Sequence, residues 1–296
     1  MAHSNPTQVR RLISRIWSPH DTIVIHYDKK SPKCEHREIQ DIARQFGNVI
    51  VQPSLSVLWG RFSLLRAQLS GMKCALDSGV NWSHWINLSG QCYPLVSAAL
   101  IHERMNMLGE SSLVRSFDPL QESDWGATDE RIRFRYVNSA AIDRLLRVPF
   151  VGRKLRQHLF GGAQIPRWPF LRGDPLDGVR WYGGDNWVSL SRSAAKYICT
   201  SSQAEMIISM LRFSALPEES VFQTVLMNSE FSRTVVNSHG RMINWSKGKA
   251  SPGVFTERDY DSIELASRQG ALFARKFDAN LSASLLDKID CCLLAS

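Results

Sequence analysis

Apolar segments of strand length alternate with amphipathic segments of helix length through the first part of the chain, and this alternation limits the fold more than any other feature. Asn5-Pro6 opens a helix in which Val9, Leu12, Ile13 and Ile16 recur at helical spacing, and Pro19 stops it. DTIVIHYD (21–28) reads as a buried strand followed by the polar turn KKSPK. REIQDIARQFG (37–47) is helical and NVIVQ (48–52) is a short strand. Residues 62–79 form a helix with Ser70-Gly71 as its weak point, and WSHWINLSG (82–90) is a third strand. The pattern predicts an α/β domain with a mostly parallel sheet flanked by helices. Ligands of such open sheets gather beyond the carboxyl ends of the strands, so His26 to Lys30 and Ser89 to Pro94 are expected at the functional face.

Farther along, 96–108 reads as helix and LVRSF (113–117) as strand. Residues 118–178 are irregular and rich in Arg, Gly and Pro, with a helix expected around 138–146; they read either as a surface excursion or as an acceptor-binding surface. VRWYGGDNWVSLSRSAAKYI (179–198) predicts strand, Gly-Gly turn, strand and helix. No internal repeat or boundary divides the 296 residues, so 1–296 is expected to be one domain.

Composition narrows the function classes. Hydrophobic residues at 44% and charged residues at 22% are ordinary for a globular protein, which excludes disordered and fibrous classes. The net charge of +8 suits a polyanionic ligand, but no nucleic-acid module is present and no nucleic-acid partner is expected. Nine tryptophans raise the prospect of stacking floors for sugars or bases. Six cysteines show no metal or disulfide spacing, and reduced thiols in a cytoplasmic protein are the expectation. The start of the chain lacks a signal-peptide core and no apolar run could span a bilayer, so no transmembrane segment is expected, with peripheral contact at the inner membrane face left open. Sequons at Asn81, Asn87, Asn244 and Asn280 are taken as chance, two of them lying in core-adjacent sequence.

Three segments could carry chemistry. In LPEESVFQTVLMNSEF (216–231), Glu218 and Glu219 stand at the start of an amphipathic run; they either complement a helix dipole or hold a general base. In SKGKASPG (246–253) and FARKFD (273–278), Lys247, Lys249, Arg275 and Lys276 either solvate a surface or neutralise a diphosphate, with Arg241 in reserve. The apolar neighbours of Lys276 favour a partly buried stem. In GGDNW (183–187), Trp187 could pack under a sugar and Asp185 or Asn186 could bind hydroxyls, with the glycines forming a tight turn. No Asp-x-Asp pair follows the third strand; Gln91 and Cys92 stand there instead, and no metal site is expected.

The ordered series AHSNPTQVRRLI, TIVIHYDKKS, VLWGRFSLLRA, WINLSGQCYPL, GGDNWVSLSRSAAKYI, PEESVFQTVLMNS, NWSKGKASPGVFTERD and LFARKFD resembles the core-2/I-branching β-1,6-N-acetylglucosaminyltransferase and peptide O-xylosyltransferase family, most of all its short bacterial members. That resemblance implies a GT-A-like, Rossmann-related fold and a metal-independent, inverting transfer from a UDP-sugar donor to a glycan or glycoconjugate acceptor, with no further cofactor. UDP-N-acetylglucosamine is the first expectation for the donor, UDP-xylose or another UDP-sugar the alternative, and bacterial glycan synthesis the setting; a non-catalytic nucleotide- or carbohydrate-binding protein is the rival. It also implies that Glu219 is the base, that Lys276 contacts the diphosphate together with Arg241, Lys247 or Lys249, that His26 and Asp28 edge the uridine site, and that Asp185 and Trp187 hold sugars. Three departures stand out. Cys92 replaces an Asp, Asn186 stands where xylosyltransferase-like members have Asp, and only Met1 precedes the Ala-His motif that relatives approach through an apolar strand.

Overall fold

A computed structural model describes residues 1–121, 130–137, 139–146, 148, 167–172, 176–245 and 251–294. Its strands are β1 (Ile23–Ile25), β2 (Val49–Val51), β3 (His84–Ile86), β4 (Cys92–Pro94), β5 (Ser112–Val114), β6 (Phe134–Tyr136), β7 (Arg167–Arg172), β8 (Val188–Ser191), β9 (Val235–Val236), β10 (Arg241–Ile243) and β11 (Phe273–Arg275). Helices separate most of them, and helix is the larger part of the described structure.

The expected mostly parallel sheet is not what forms. The strands fall into four small sheets: β1-β2, β3-β8-β5-β9, β10-β11-β4 and β6-β7. β1 with β2, β5 with β9 and β10 with β11 are parallel, whereas β8 runs antiparallel to both β3 and β5, β11 is antiparallel to β4, and β6 is antiparallel to β7. The physical reason is local. Most strands are only three residues long, and β8 enters between β3 and β5 against their direction. Residues 179–182, expected as a strand, form none; Gly183 makes only an isolated bridge to Phe117. Helix positions follow the sequence more closely. Lys33–Arg44, Phe62–Asp77, Ala98–Leu108, Ala140–Leu146 and Arg192–Thr200 are helical, and Phe62–Asp77 runs unbroken through Gly71, whose α-carbon faces Trp85 and Gln52.

The largest core joins Leu65 and Met72 of Phe62–Asp77 to Val188 and Leu190 of β8, Ile198 and Ile207 of the two helices that follow, and Val221, Phe222, Val225 and Leu226 of the helix Val221–Met227. A second core packs Tyr93, Phe255, Phe277, Leu285, Leu286 and Ile289 around β4, β11 and the last helix, Ala283–Cys292. That helix is tied to the first, Pro6–Ile16, by charge. Asp290 accepts a 2.6 Å hydrogen bond from Tyr93 and pairs with Arg11 and Arg15 at 2.8 Å.

Desolvation opposes ionisation of Asp290, yet the bonds from Arg15, Tyr93 and Arg11 hold its carboxyl below the usual range. A lowered folded-state pKa contributes stability above the unfolded value, and that contribution is lost as pH falls through the folded one. Asp290→Asn is therefore expected to lose about 1–3 kcal/mol in urea unfolding at pH 7, with the gap to the parent closing below about pH 4.

Candidate active site

The carboxylates of LPEES do not sit in the first turn of an α-helix, as the sequence suggested. Pro217–Glu219 is a separate 3₁₀ turn, and the α-helix begins at Val221. The turn starts from Leu216 at φ 48°, a left-handed conformation that costs a side-chain-bearing residue about 1–2 kcal/mol. Two hydrogen bonds hold it there: Leu216 N–H donates to the Gly60 carbonyl and Glu219 N–H donates to the Leu216 carbonyl. The two glutamates consequently diverge. Glu218 is 2% exposed, and its Oε2 has no partner among the described residues. Glu219 keeps 27% of its side chain accessible and accepts a 2.8 Å charged hydrogen bond from Arg131.

Burial, reinforced by the charge of Glu219, pushes the Glu218 carboxyl up to about 8. Glu219 is also raised, first by desolvation; Arg131 opposes the shift and the charge of Asp185 adds to it. The pair thus holds one carboxyl that Arg131 helps to ionise beside one that stays protonated near neutral pH.

GGDNW is fixed directly against this turn. Gly184 N–H donates to the Glu219 carbonyl at 2.9 Å, and Gln223 Nε2 donates to the Asp185 carbonyl at 2.8 Å. In place of the expected tight turn, Gly183 bridges Phe117 and Gly184 bonds the glutamate turn, and neither glycine takes a positive φ. Gly184 is needed for close approach instead: a β-carbon there would lie 2.0 Å from the Arg115 carbonyl oxygen and 2.7 Å from Gln223 Nε2. Polar residues on the buried side of the following helix complete the support. Ser220 accepts from Trp181 Nε1, and Thr224 Oγ1 accepts from Tyr182 N–H and donates to the Tyr182 carbonyl. The Asp185 carboxylate lies 3.5 Å from both Arg115 and His239.

At the other end of the segment, the Arg275 guanidinium stacks over the Trp187 ring at 4.9 Å and donates to Ser89 Oγ. Arg241 lies 5.7 Å from the same ring. The reserve diphosphate candidate Arg241 is nevertheless a buried scaffold residue, donating to the carbonyls of His239, Asn87 and Val188. Burial lowers its pKa to about 10. Asn87 links the same elements, receiving Val188 N–H and donating to the Asn186 carbonyl, so this sequon asparagine is a buried structural residue. Lys276 follows Arg275 and is half-buried, as its apolar neighbours imply, while Lys247 and Lys249 lie outside the described residues.

His26 and Asp28 sit past the carboxyl end of β1, where their acceptors are already used. His26 Nε2 accepts Leu55 N–H, and burial lowers the imidazole to about 4, leaving the ring neutral. Asp28 accepts Lys30 N–H and Val57 N–H. Both side chains shape the 55–57 loop. The structure therefore brings Glu219, Asp185, Trp187, Arg241 and Arg275 around one segment, with His26 and Asp28 on another. Arg131 and Arg115 were missed, because nothing local in the sequence marks them. Ser220, Gln223 and Thr224 carried a readable signal, as polar residues among the inward positions of an amphipathic helix.

Among the described residues, no group of three or more His, Cys, Asp or Glu side chains could hold a metal ion. No described helix is long and apolar enough to cross a membrane. The Glu219 carboxylate, held by Arg131, thus stands in a turn whose main chain bonds the polar, tryptophan-bearing loop, and Arg115, Arg241 and Arg275 flank that loop.

Residues 1–267 match the family model described as Core-2/I-Branching enzyme, and the chain belongs to that family. It is 28% identical over 305 residues to xylosyltransferase 2 of Canis lupus familiaris, covering 96% of this chain and 32% of the relative. It is 28% identical over 302 residues to xylosyltransferase 1 of the same species, covering 96% and 29%, and 28% identical over 305 residues to xylosyltransferase 2 of Homo sapiens, covering 96% and 32%. The chain thus spans about a third of the length of these curated relatives. The relatives are vertebrate, which corrects the expected kinship with short bacterial members and the placement in bacterial glycan synthesis.

Gly184→Ala is expected to cost about 1–3 kcal/mol or more, because the clash is with main chain rather than with the end of a flexible side chain. Thermal unfolding measures the loss, and an unchanged midpoint would show that the loop can shift freely.

Proposed function

We propose that this chain is a UDP-sugar-dependent glycosyltransferase that transfers xylose, with inversion, to an acceptor hydroxyl, Glu219 acting as general base. The observation that carries the reading is the Glu219 carboxylate: accessible, raised in pKa, and held by Arg131 in a turn bonded to the Asp185 loop. The xylosyltransferase relatives favour xylose over the N-acetylglucosamine first expected. A hexosamine donor is the second reading, favoured by the branching-enzyme description of the family.

In the mechanism, Glu219 takes the proton of the acceptor hydroxyl as its oxygen attacks the anomeric carbon from the face opposite the nucleotide. The bond to the diphosphate breaks, and UDP leaves with the electron pair toward Arg275 and Lys276. Fixed cations stabilise the charge that grows on the leaving group, so they lower the barrier more than they tighten ground-state binding. Asp185 and Trp187 contact sugar, through hydroxyls and through the ring face. The cationic work falls to these side chains without a metal.

Turnover of UDP-xylose, UDP-N-acetylglucosamine, UDP-glucose and UDP-galactose, with and without chelator, tests this reading. Xylose transfer that persists in chelator supports it. Preference for the hexosamine selects the second reading, and UDP binding with no transfer to any acceptor identifies a non-catalytic binding protein. Glu219→Gln should keep UDP affinity within about twofold and lose about 10²–10⁴ in kcat, read by calorimetry and initial rates. Lys276→Ala should weaken UDP binding and slow turnover together.

The base works only when ionised, so kcat/KM should rise with pH and level off above the Glu219 pKa, placing the acid limb above the ordinary carboxylate range. Arg131→Gln removes a cation that favours the charged form, so the limb should move to higher pH. A limb that stays in place would separate Arg131 from the base.

A further inference from the structure

In a direct displacement the sugar being transferred lies between the base and the cations that receive the leaving group, because the acceptor oxygen enters on one face of the anomeric carbon as the diphosphate departs from the other. Residues 183–187 span that interval. Gly184 N–H donates to the Glu219 carbonyl at one end, and the Arg275 guanidinium stacks over the Trp187 ring at the other. Asp185 and Asn186 stand between them. Asn186 is committed to the scaffold: its Oδ1 accepts a 2.8 Å bond from Nε2 of the buried Gln68, and its carbonyl accepts from Asn87 Nδ2.

The Asp185 carboxylate is held more openly. Gln223 fixes its main chain, while its side chain keeps 16% of its surface accessible and faces Arg115 Nη1 and His239 Nε2, each 3.5 Å from Oδ2. Both contacts fall on one oxygen, and among the described residues no hydrogen bond reaches Oδ1.

The two groups that face Oδ2 are unequal. Arg115 follows β5 and is 45% accessible on a long stem, stacked over Phe117 at 5.5 Å. His239 belongs to the turn between β9 and β10 and is held on several sides. Gly240 takes φ 64°, a left-handed step, and Arg241 N–H folds back to donate to His239 Nδ1 at 3.1 Å. The Arg241 guanidinium donates to the His239 carbonyl, and Asn237 Oδ1 accepts Ser116 N–H at 2.8 Å, which ties the same turn to the end of β5. Burial lowers the imidazole against the charge of Asp185, with Arg241 and Arg115 adding to the fall, so the ring is neutral at pH 7. With Nδ1 accepting, the proton of a neutral ring is on Nε2, the atom that faces Asp185. The buried Arg241 also lies 5.7 Å from the Trp187 ring, so one residue sets both His239 and Trp187.

We infer that His239 is a positioning residue for the transferred sugar: its Nε2–H fixes Asp185 Oδ2, which turns Oδ1 to accept a hydroxyl of the sugar that packs on Trp187. The inference rests on the glycosyl-donor reading given above and adds to it the group that orients the carboxylate. At 3.5 Å the contact is long, and the terminal torsion of an aspartate is soft enough for a small rotation to bring it to hydrogen-bond distance. A hydroxyl bonded to a carboxylate makes a charge-assisted hydrogen bond whose worth depends on the angle of approach, and a carboxylate free to rotate loses part of it to ordering. Arg115 supplies charge to Oδ2, and the rigid imidazole supplies direction.

Calorimetry of UDP and of UDP-xylose on the full chain, without acceptor, tests this with three variants: His239→Leu, which keeps bulk; His239→Gln, whose amide N–H stands in for Nε2–H; and Asp185→Asn. UDP affinity should stay within about twofold of the parent in all three. The ratio of UDP-xylose affinity to UDP affinity should fall at least about fivefold in H239L and D185N and stay within about twofold in H239Q. Initial rates should show the KM for UDP-xylose rising by about the same factor in H239L and returning toward the parent value in H239Q. An unchanged ratio in H239L would overturn the inference, as would equal losses in H239L and H239Q, which mark lost packing rather than a lost N–H. A fall in UDP affinity as large as the fall in UDP-xylose affinity would also overturn it, since the effect would not then be on the sugar. A parent chain that binds UDP but not UDP-xylose would overturn the glycosyl-donor reading first and this inference with it, and that outcome is seen before any variant is made.

Discussion

The approach of the Gly184 backbone to the Arg115 carbonyl is the contact on which the geometry of the candidate site rests. A single hydrogen atom in place of a side chain lets residues 183–187 lie flat between the end of β5 and the helix Val221–Met227. Once there, the segment uses its own amide and carbonyl groups to hold the glutamate turn and the buried Gln223. Trp187 is then delivered to the guanidinium groups of Arg241 and Arg275, which come from β10 and β11. Elements from the middle and the end of the chain are registered through five residues.

The electrostatics of the glutamate pair follow from that packing. Two carboxylates next to each other in sequence cannot both carry charge cheaply in a desolvated turn. Withdrawing Glu218 from water keeps its proton on, while at Glu219 the Arg131 guanidinium opposes the desolvation that raises the carboxyl.

Much of this was readable from the sequence at the level of elements. The helix expected over 62–79 forms as Phe62–Asp77, and the strand expected over 21–28 has its paired core at Ile23–Ile25. Pairing was not readable, because the direction in which β8 enters between β3 and β5 depends on residues far apart in the chain. Glu219 was visible as an acid opening an amphipathic run, whereas Arg131, 88 residues away, carries no local mark. His26 and Asp28 had the right chemistry at a strand end, but only the fold shows that the amides of Leu55 and Val57 occupy them. Arg241 read as a reserve cation for the diphosphate, whereas in the fold it donates to three main-chain carbonyls.

The bond between Arg11 and Asp290 spans 279 positions of the chain. During vectorial synthesis the first helix emerges long before its partner exists, and Tyr93 and the apolar residues of the second core wait with it. Closing a loop of that length is entropically slow, so this half of the molecule packs only after the helix Ala283–Cys292 has been made. Until that helix leaves the ribosome, the side chains it covers are open to chaperones and to neighbouring nascent chains.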